Sequence, residues 1–154
     1  MTTAGEFCNP WTAIAKADES LVSVARRMLN EHVGCVVVVE ERAGKSIPIG
    51  MLTDRDIVVG VIARADADID TLMVGDAMTK DVVVASESDN LDDVLKRMRS
   101  RGIRRIAIVD EVGSLRGLIA FDDMLELLQD QIATLVSVLD RERQQEIDTR
   151  PRIR

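Results

Sequence analysis

The chain has 154 residues, 46% of them hydrophobic, with a formal net charge of −7 and two cysteines. That length makes one compact domain, or two small halves sharing a core. The acidic balance argues against a nucleic-acid surface, which needs clustered positive charge, and two cysteines do not make a disulfide framework. No apolar run reaches the roughly 18 residues of a membrane span, and the start of the chain lacks the basic-then-apolar pattern of a signal peptide. A cytoplasmic, reducing setting is therefore expected. With only Phe7, Trp11 and Phe121 as aromatics, the core must be built from Val, Ile, Leu, Met and Ala.

In chain order, residues 13–15 read as a short extended piece. Ser20 is placed to N-cap a helix over residues 21–31, in which Leu21, Val24, Ala25 and Met28 recur at i, i+3, i+4 and i+7. The β-branched run 36–39 reads as a buried strand. A polar stretch, 40–48, separates it from a strand at 49–53, and a second helix is expected over 54–63. The charged stretch 64–70 reads as a linker. The pattern then repeats: extended residues 81–85, Asn90 as cap, a helix over 91–101 with Leu91, Val94, Leu95 and Met98 as its stripe, a buried strand at 106–109, and a further strand at 116–120. Asp110-Glu111-Val112-Gly113-Ser114 suits the hairpin between these two strands. From Phe121 the chain reads as one long helix. Its Leu125, Leu128, Ile132, Leu135 and Leu139 are spaced 3-4-3-4. This seam can lie on its own domain or mate with a second subunit. After about Arg143 the chain is polar and a frayed end is expected.

The repetition can be followed residue by residue. At an offset of 70, Gly5 meets Gly75, Leu21 meets Leu91, Arg27 meets Arg97, Met28 meets Met98 and Val39 meets Val109. The register then slips by three within 40–48, and Gly50-Met51-Leu52-Thr53-Asp54-Arg55-Asp56 falls opposite Gly117-Leu118-Ile119-Ala120-Phe121-Asp122-Asp123. A hairpin loop changes length at little entropic cost. Two related halves of this size are marginal alone, so they are expected to face each other and to leave a cleft between them.

Thr53 and Asp56 place a hydroxyl and a carboxylate where a strand ends and a helix begins. By spacing alone Thr-x-x-Asp reads as a capping box. The same groups also suit a ligand: helix-start N–H groups attract phosphate, and a carboxylate accepts from two adjacent hydroxyls.

Three pieces together resemble a known family. They are Gly50 to Asp56 followed by Ile57, the lead-in Val74-Gly75-Asp76-Ala77-Met78-Thr79, and Gly102-Ile103-Arg104-Arg105-Ile106-Ala107-Ile108-Val109-Asp110. In order, spacing and duplication they are similar to a tandem cystathionine-beta-synthase (CBS) domain pair, a stand-alone Bateman module. The resemblance implies an α+β fold of two pseudo-symmetric β-α-β-β-α repeats packed through their sheets. The repeats would span residues 5–66 and 67–128, with residues 129–154 a helical extension and frayed tail.

The resemblance also implies a sensor rather than an enzyme. The ligand would be an adenosine-containing molecule, AMP, ADP or ATP first, acting as a regulatory ligand with no obligatory cofactor. Asp56, Thr53, Met51 and Arg55 would hold it, with Arg104, Arg105 and Ala107 from the other half. Arginines there suit phosphate, although strand alternation should turn Arg104 and Arg105 to opposite faces. A weaker second cleft would comprise Asp123, Asp122, Leu118 and Ala120, with Gly34, Cys35 and Val37. There Ala120 stands for the hydroxyl residue and Gly34-Cys35 for the arginines, so that cleft is expected to be empty, weak or suited to an uncharged adenosyl group.

A homodimer signalling to an unidentified protein partner is expected, with no nucleic acid or membrane. The alternatives are a ligand-independent homodimeric scaffold, a binder of S-adenosylmethionine, or a metal site from Cys8, Cys35 and His32. That set is one ligand short of a structural zinc site.

Overall fold

The computed structural model describes residues 2–64 and 68–149. The elements are α1 (Ala4–Phe7), β1 (Ile14–Ala15), α2 (Leu21–Glu31), β2 (Cys35–Arg42), β3 (Lys45–Thr53), a π-helix (Asp56–Ile62), a 3-10 turn (Ile69–Thr71), α3 (Val74–Ala77), β4 (Val84–Ser86), α4 (Leu91–Arg101), β5 (Arg105–Val109), β6 (Leu115–Ala120) and α5 (Phe121–Thr149). They fall into two compact units, one up to Ile119 and one from Ala120 onward.

The repeat read from the sequence is present as two three-stranded sheets, β1-β2-β3 and β4-β5-β6. In each, the short first strand runs parallel to the second. The stripes of α2 and α4 bury Leu21, Val24 and Met28 in one repeat and Val94 and Met98 in the other. Strand β2 is apolar on both sides because it serves two cores. Val36 and Val38 join Leu21, Val24, Leu52 and Ile57 in one cluster. Val37 and Val39 turn the other way, to Ala107 of the second repeat. That second cluster is where the sheets pack.

The lead-in segments are exchanged between the repeats. Near the chain start, the N–H groups of Ala4 and Gly5 donate to Asp89 O and Glu87 O (2.8 and 2.9 Å), and Asn9 trades two backbone hydrogen bonds with Leu118. In return, Val74 and Gly75 donate to Glu19 O and Ala17 O (2.9 and 2.8 Å), and Thr79 trades two bonds with Met51. The paired glycines Gly50 and Gly117 mark these crossings. A Cβ on Gly50 would sit 2.7 Å from Met78 Sδ, and one on Gly117 would sit 2.6 Å from Asn9 O. Arg27 and Arg97 are likewise equivalent. Each reaches back to a strand carbonyl, Ile14 O (2.6 Å) or Val84 O (2.8 Å), and to a carboxylate, Glu19 or Asp89. At Glu19, burial works to raise the carboxyl. The hydrogen bond and charge of Arg27, with the Lys16 N–H, outweigh it and hold the group below its ordinary range.

Several expectations are corrected. Ser20 occupies the N-cap of α2, but its side chain makes no capping bond; Leu21 N–H donates instead to Leu72 O at 3.0 Å, because the second repeat's lead-in lies across the helix start. Asn90 caps α4 as expected, accepting from Asp92 N–H at 3.0 Å. The stretch 40–48 is not a loop. Strands β2 and β3 continue through it and turn at Ala43–Gly44, both at positive φ (51° and 75°), the geometry that suits a two-residue hairpin. Periodicity missed this because Glu40, Glu41 and Arg42 leave the core and are exposed.

The helix expected at 54–63 is widened, with Ala63 N–H donating five residues back to Val58 O at 2.9 Å. Of the linker expected over 64–70, residues 65–67 lie outside the described residues. The frayed end expected after Arg143 is helical to Thr149; the segment has no Gly or Pro, is rich in helix formers, and carries a Gln144–Asp148 bond of 3.3 Å. Residues 150–154 of that tail lie outside the described residues.

Candidate functional site

Where β3 ends, Thr53 and Asp56 form the reciprocal pair that their spacing allows. Thr53 N–H donates to Asp56 Oδ2 (2.9 Å) and Asp56 N–H donates to Thr53 Oγ1 (3.1 Å). Both side chains are half-buried and both line a cleft of about 210 Å³. Met51 lies beside them, and its two bonds to Thr79 bring the stretch Thr79, Asp81, Val82 and Val83 of the second repeat into the same cleft. Ile103, Arg104 and Arg105, leading into β5, also line it. Both repeats therefore build one concavity. It offers apolar surface (Met51, Val82, Val83, Ile103), two hydroxyls (Thr53, Thr79), two carboxylates (Asp56, Asp81) and two guanidiniums.

The CBS domain family model matches residues 13–66 and again 74–130. The chain belongs to the CBS domain family. Among relatives, an uncharacterized protein of Methanopyrus kandleri is 31% identical over 133 residues, which are 86% of this chain and 66% of that protein. The chain thus spans just under two thirds of that relative. Among solved structures, the CBS domain pair of protein MJ0100, in complex with 5′-methylthioadenosine and S-adenosyl-L-methionine, superposes with a TM-score of 0.72 at 19% identity, covering 84% of this chain and 98% of that one. The cytosolic domain of the Mg2+ channel MgtE, in complex with ATP, superposes with a TM-score of 0.67 at 23% identity, covering 82% of this chain and 48% of that one. These likenesses show the fold of a CBS pair.

Within this CBS pair, five residues expected in the first cleft are brought together: Met51, Thr53, Asp56, Arg104 and Arg105. The alternation argument against both arginines fails because β5 begins at Arg105, leaving Arg104 outside the pleat. Arg55 is exposed, does not line the cleft, and precedes the π-helix. Ala107 is fully buried with Val37 and Val39 between the sheets, so it has no surface to offer a ligand. Thr79, Asp81, Val82, Val83 and Ile103 were not expected. Thr79 ends the lead-in Val74 to Thr79 and Ile103 lies in the stretch Gly102 to Asp110, while Asp81, Val82 and Val83 lie in neither; Thr79 reaches the cleft only by crossing to the other repeat.

The residues assigned to the weaker cleft are divided between the two compact units. Leu118 is bonded to Asn9 and packs against the inter-sheet cluster, while Val37 is fully buried within it. Cys35 is buried and in register with Thr53. Burial above all pushes its thiol up to about 11. Arg105 pulls the other way, and Asp56 and Asp54 add to the rise. Its charged surroundings thus belong to the first cleft and the adjoining strand end. Asp122 and Asp123 sit in the first turn of α5, where Asp123 Oδ2 accepts from Ala120 N–H at 3.4 Å. This is half of the Thr53–Asp56 pair, since Ala120 has no hydroxyl to complete it. Among the described residues no three His, Cys, Asp or Glu side chains gather to hold a metal, and no helix is long and apolar enough to cross a membrane.

Proposed function

We propose that this CBS pair is a cytoplasmic regulatory module that binds an adenosine-containing ligand, AMP, ADP or ATP, in the cleft lined by Thr53, Asp56 and Arg105, and signals as a homodimer to a separate partner. The observation that carries the reading is that one concavity gathers an acceptor carboxylate, two hydroxyls and two guanidiniums from both repeats. Asp56 would accept from the ribose hydroxyls, Arg104 and Arg105 would hold phosphate, and Val82, Val83 and Ile103 would face the base. The ligands of MJ0100 and of MgtE support an adenosyl ligand as the class.

A mechanism of signalling follows from the hydrogen bonds. Thr53 N–H takes Oδ2 of Asp56 and leaves Oδ1 to accept from the ribose, so binding would pull on the junction of β3 and the π-helix. At the same time it would bridge β3 of one repeat to the start of β5 of the other. Ligand binding would in this way change the geometry of both repeats without any bond being made or broken in the ligand.

A thermal-shift panel on nucleotide-stripped protein with AMP, ADP, ATP, S-adenosylmethionine and 5′-methylthioadenosine tests this. Binding to the folded state alone stabilises by about 2.7 kcal/mol at a hundredfold excess over Kd. A shift with one adenosyl compound, lost in Asp56→Ala, supports the reading and identifies the ligand. Absence of any shift at millimolar concentrations overturns it and favours the second reading, a ligand-independent homodimeric scaffold. That alternative draws on the exposed apolar side chains of α5.

A further inference from the structure

Helix α5 carries an apolar seam that no other helix among the described residues is long enough to cover. Phe121, Leu125, Leu128, Ile132, Leu135 and Leu139 recur at alternating intervals of four and three, and all of them are exposed, Ile132 at 59% and Leu135 at 67%. At 1.5 Å per residue the seam is about 27 Å long. A seam of this period is covered by knobs-into-holes packing against a helix of the same period. Helices α2 and α4 have 11 residues each, so the helix of matching length and period is α5 of another molecule of this chain.

Apart from Asp122 at its first turn, the flanks of the seam carry no charge to oppose self-pairing. Gln129 and Val136 lie on one side, Gln131 and Val138 on the other, where like charges would otherwise set two copies apart. Glu126, Asp130, Asp140 and Arg141 project away from the seam by helical geometry. This matters in a chain of net charge −7. Beyond Leu139 the same positions fall on Glu142 and Glu146, so the apolar contact ends there.

We infer that the α5 seam from Phe121 to Leu139 is a self-pairing surface, covered by the same seam of a second copy. This rests on the homodimer reading above and names its surface.

The 154-residue chain is measured by sedimentation equilibrium over the micromolar range. The wild type is expected to be dimeric. The double variant Ile132→Lys/Leu135→Lys should raise the dimer dissociation constant at least about a hundredfold. Ser137→Lys, on the opposite face, should leave it unchanged, with helicity checked by circular dichroism. Ile132→Cys should cross-link to its own copy under mild oxidation in a parallel pair, and the double variant Leu128→Cys/Ile132→Cys should do so in an antiparallel one, where the two positions face each other; Ser137→Cys should not. A dimer in which neither of the first two cross-links overturns the seam and leaves the homodimer standing. A monomeric wild type overturns both.

Discussion

Replacing Asp56 with asparagine separates its two roles. The amide keeps the size of the side chain and one oxygen that can still accept from Thr53 N–H, the bond now made at 2.9 Å. The fold should therefore lose little, well under the 0.5–2 kcal/mol typical of removing a cap. The ligand should lose much more. A carboxylate accepts from two neighbouring hydroxyls, whereas an amide presents two donors where acceptors are needed. Hydrogen bonds to a charged group contribute about 1.5–3 kcal/mol against about 0.5–1.5 for neutral pairs. Losing that difference once or twice corresponds to roughly a tenfold to hundredfold rise in Kd, since 1.4 kcal/mol is a factor of ten. Isothermal titration with the adenosyl compound that stabilises the wild type measures the binding loss, and urea unfolding without ligand measures the fold. Asp56→Ala should lose the same affinity and also the cap, lowering stability by about 1 kcal/mol. Should Asp56→Asn bind within twofold of the wild type, the carboxylate has no part in recognition and the reasoning from the cleft is wrong.

Arg105→Gln should weaken a phosphorylated ligand by about tenfold while leaving adenosine itself little changed, because a charge-assisted bond to phosphate is lost; equal losses for both would show that Arg105 does not face phosphate. Gly117→Ala puts a methyl 2.6 Å from Asn9 O and 2.8 Å from Cys8 Sγ and should cost about 1–3 kcal/mol by overpacking; an unmoved urea midpoint would show that the crossing is loose. Cys35 supplies a pH test. Its thiol is raised from an ordinary 9.0 to about 11, chiefly by burial, so the folded state keeps a proton that the unfolded chain gives up. Its contribution is fully present below pH 9 and is lost as pH rises toward 11, about 2–3 kcal/mol over two pKa units. Unfolding curves of wild type and Cys35→Ala across that window should diverge in slope, and parallel slopes would refute the burial argument.

How much was legible beforehand differs from element to element. Helices α2 and α4 keep the expected spans and bury Leu21, Val24 and Met28 and Val94 and Met98 of the expected stripes, with Ala25, Leu91 and Leu95 half-buried, because an amphipathic helix writes its period into the chain. The buried run from Val36 to Val39 was equally plain. The extent of the β2–β3 hairpin was not, since once a hairpin leaves the core its polar residues are chosen by solvent. Thr53, Asp56, Arg104 and Arg105 could be named in advance because each sits in a motif. Thr79, Asp81, Val82 and Val83 could not, because they enter the cleft only when the second repeat's lead-in pairs with Met51 of the first.

Local periodicity and spacing carried the duplication, the strand and helix order within each repeat, and the residue types available for a polar cleft. Which groups meet was set by the packing of the repeats. It took the capping role from Ser20 by laying Leu72 across the helix start. It buried Ala107 against Val37 and Val39 instead of opening it to the cleft. It also set Gly50 and Gly117 at the crossings of the exchanged segments. One cause is common to all three. A hydrogen bond or a contact between residues far apart in sequence depends on how two sheets and two lead-ins pack, and packing leaves no period in the chain from which it could be read.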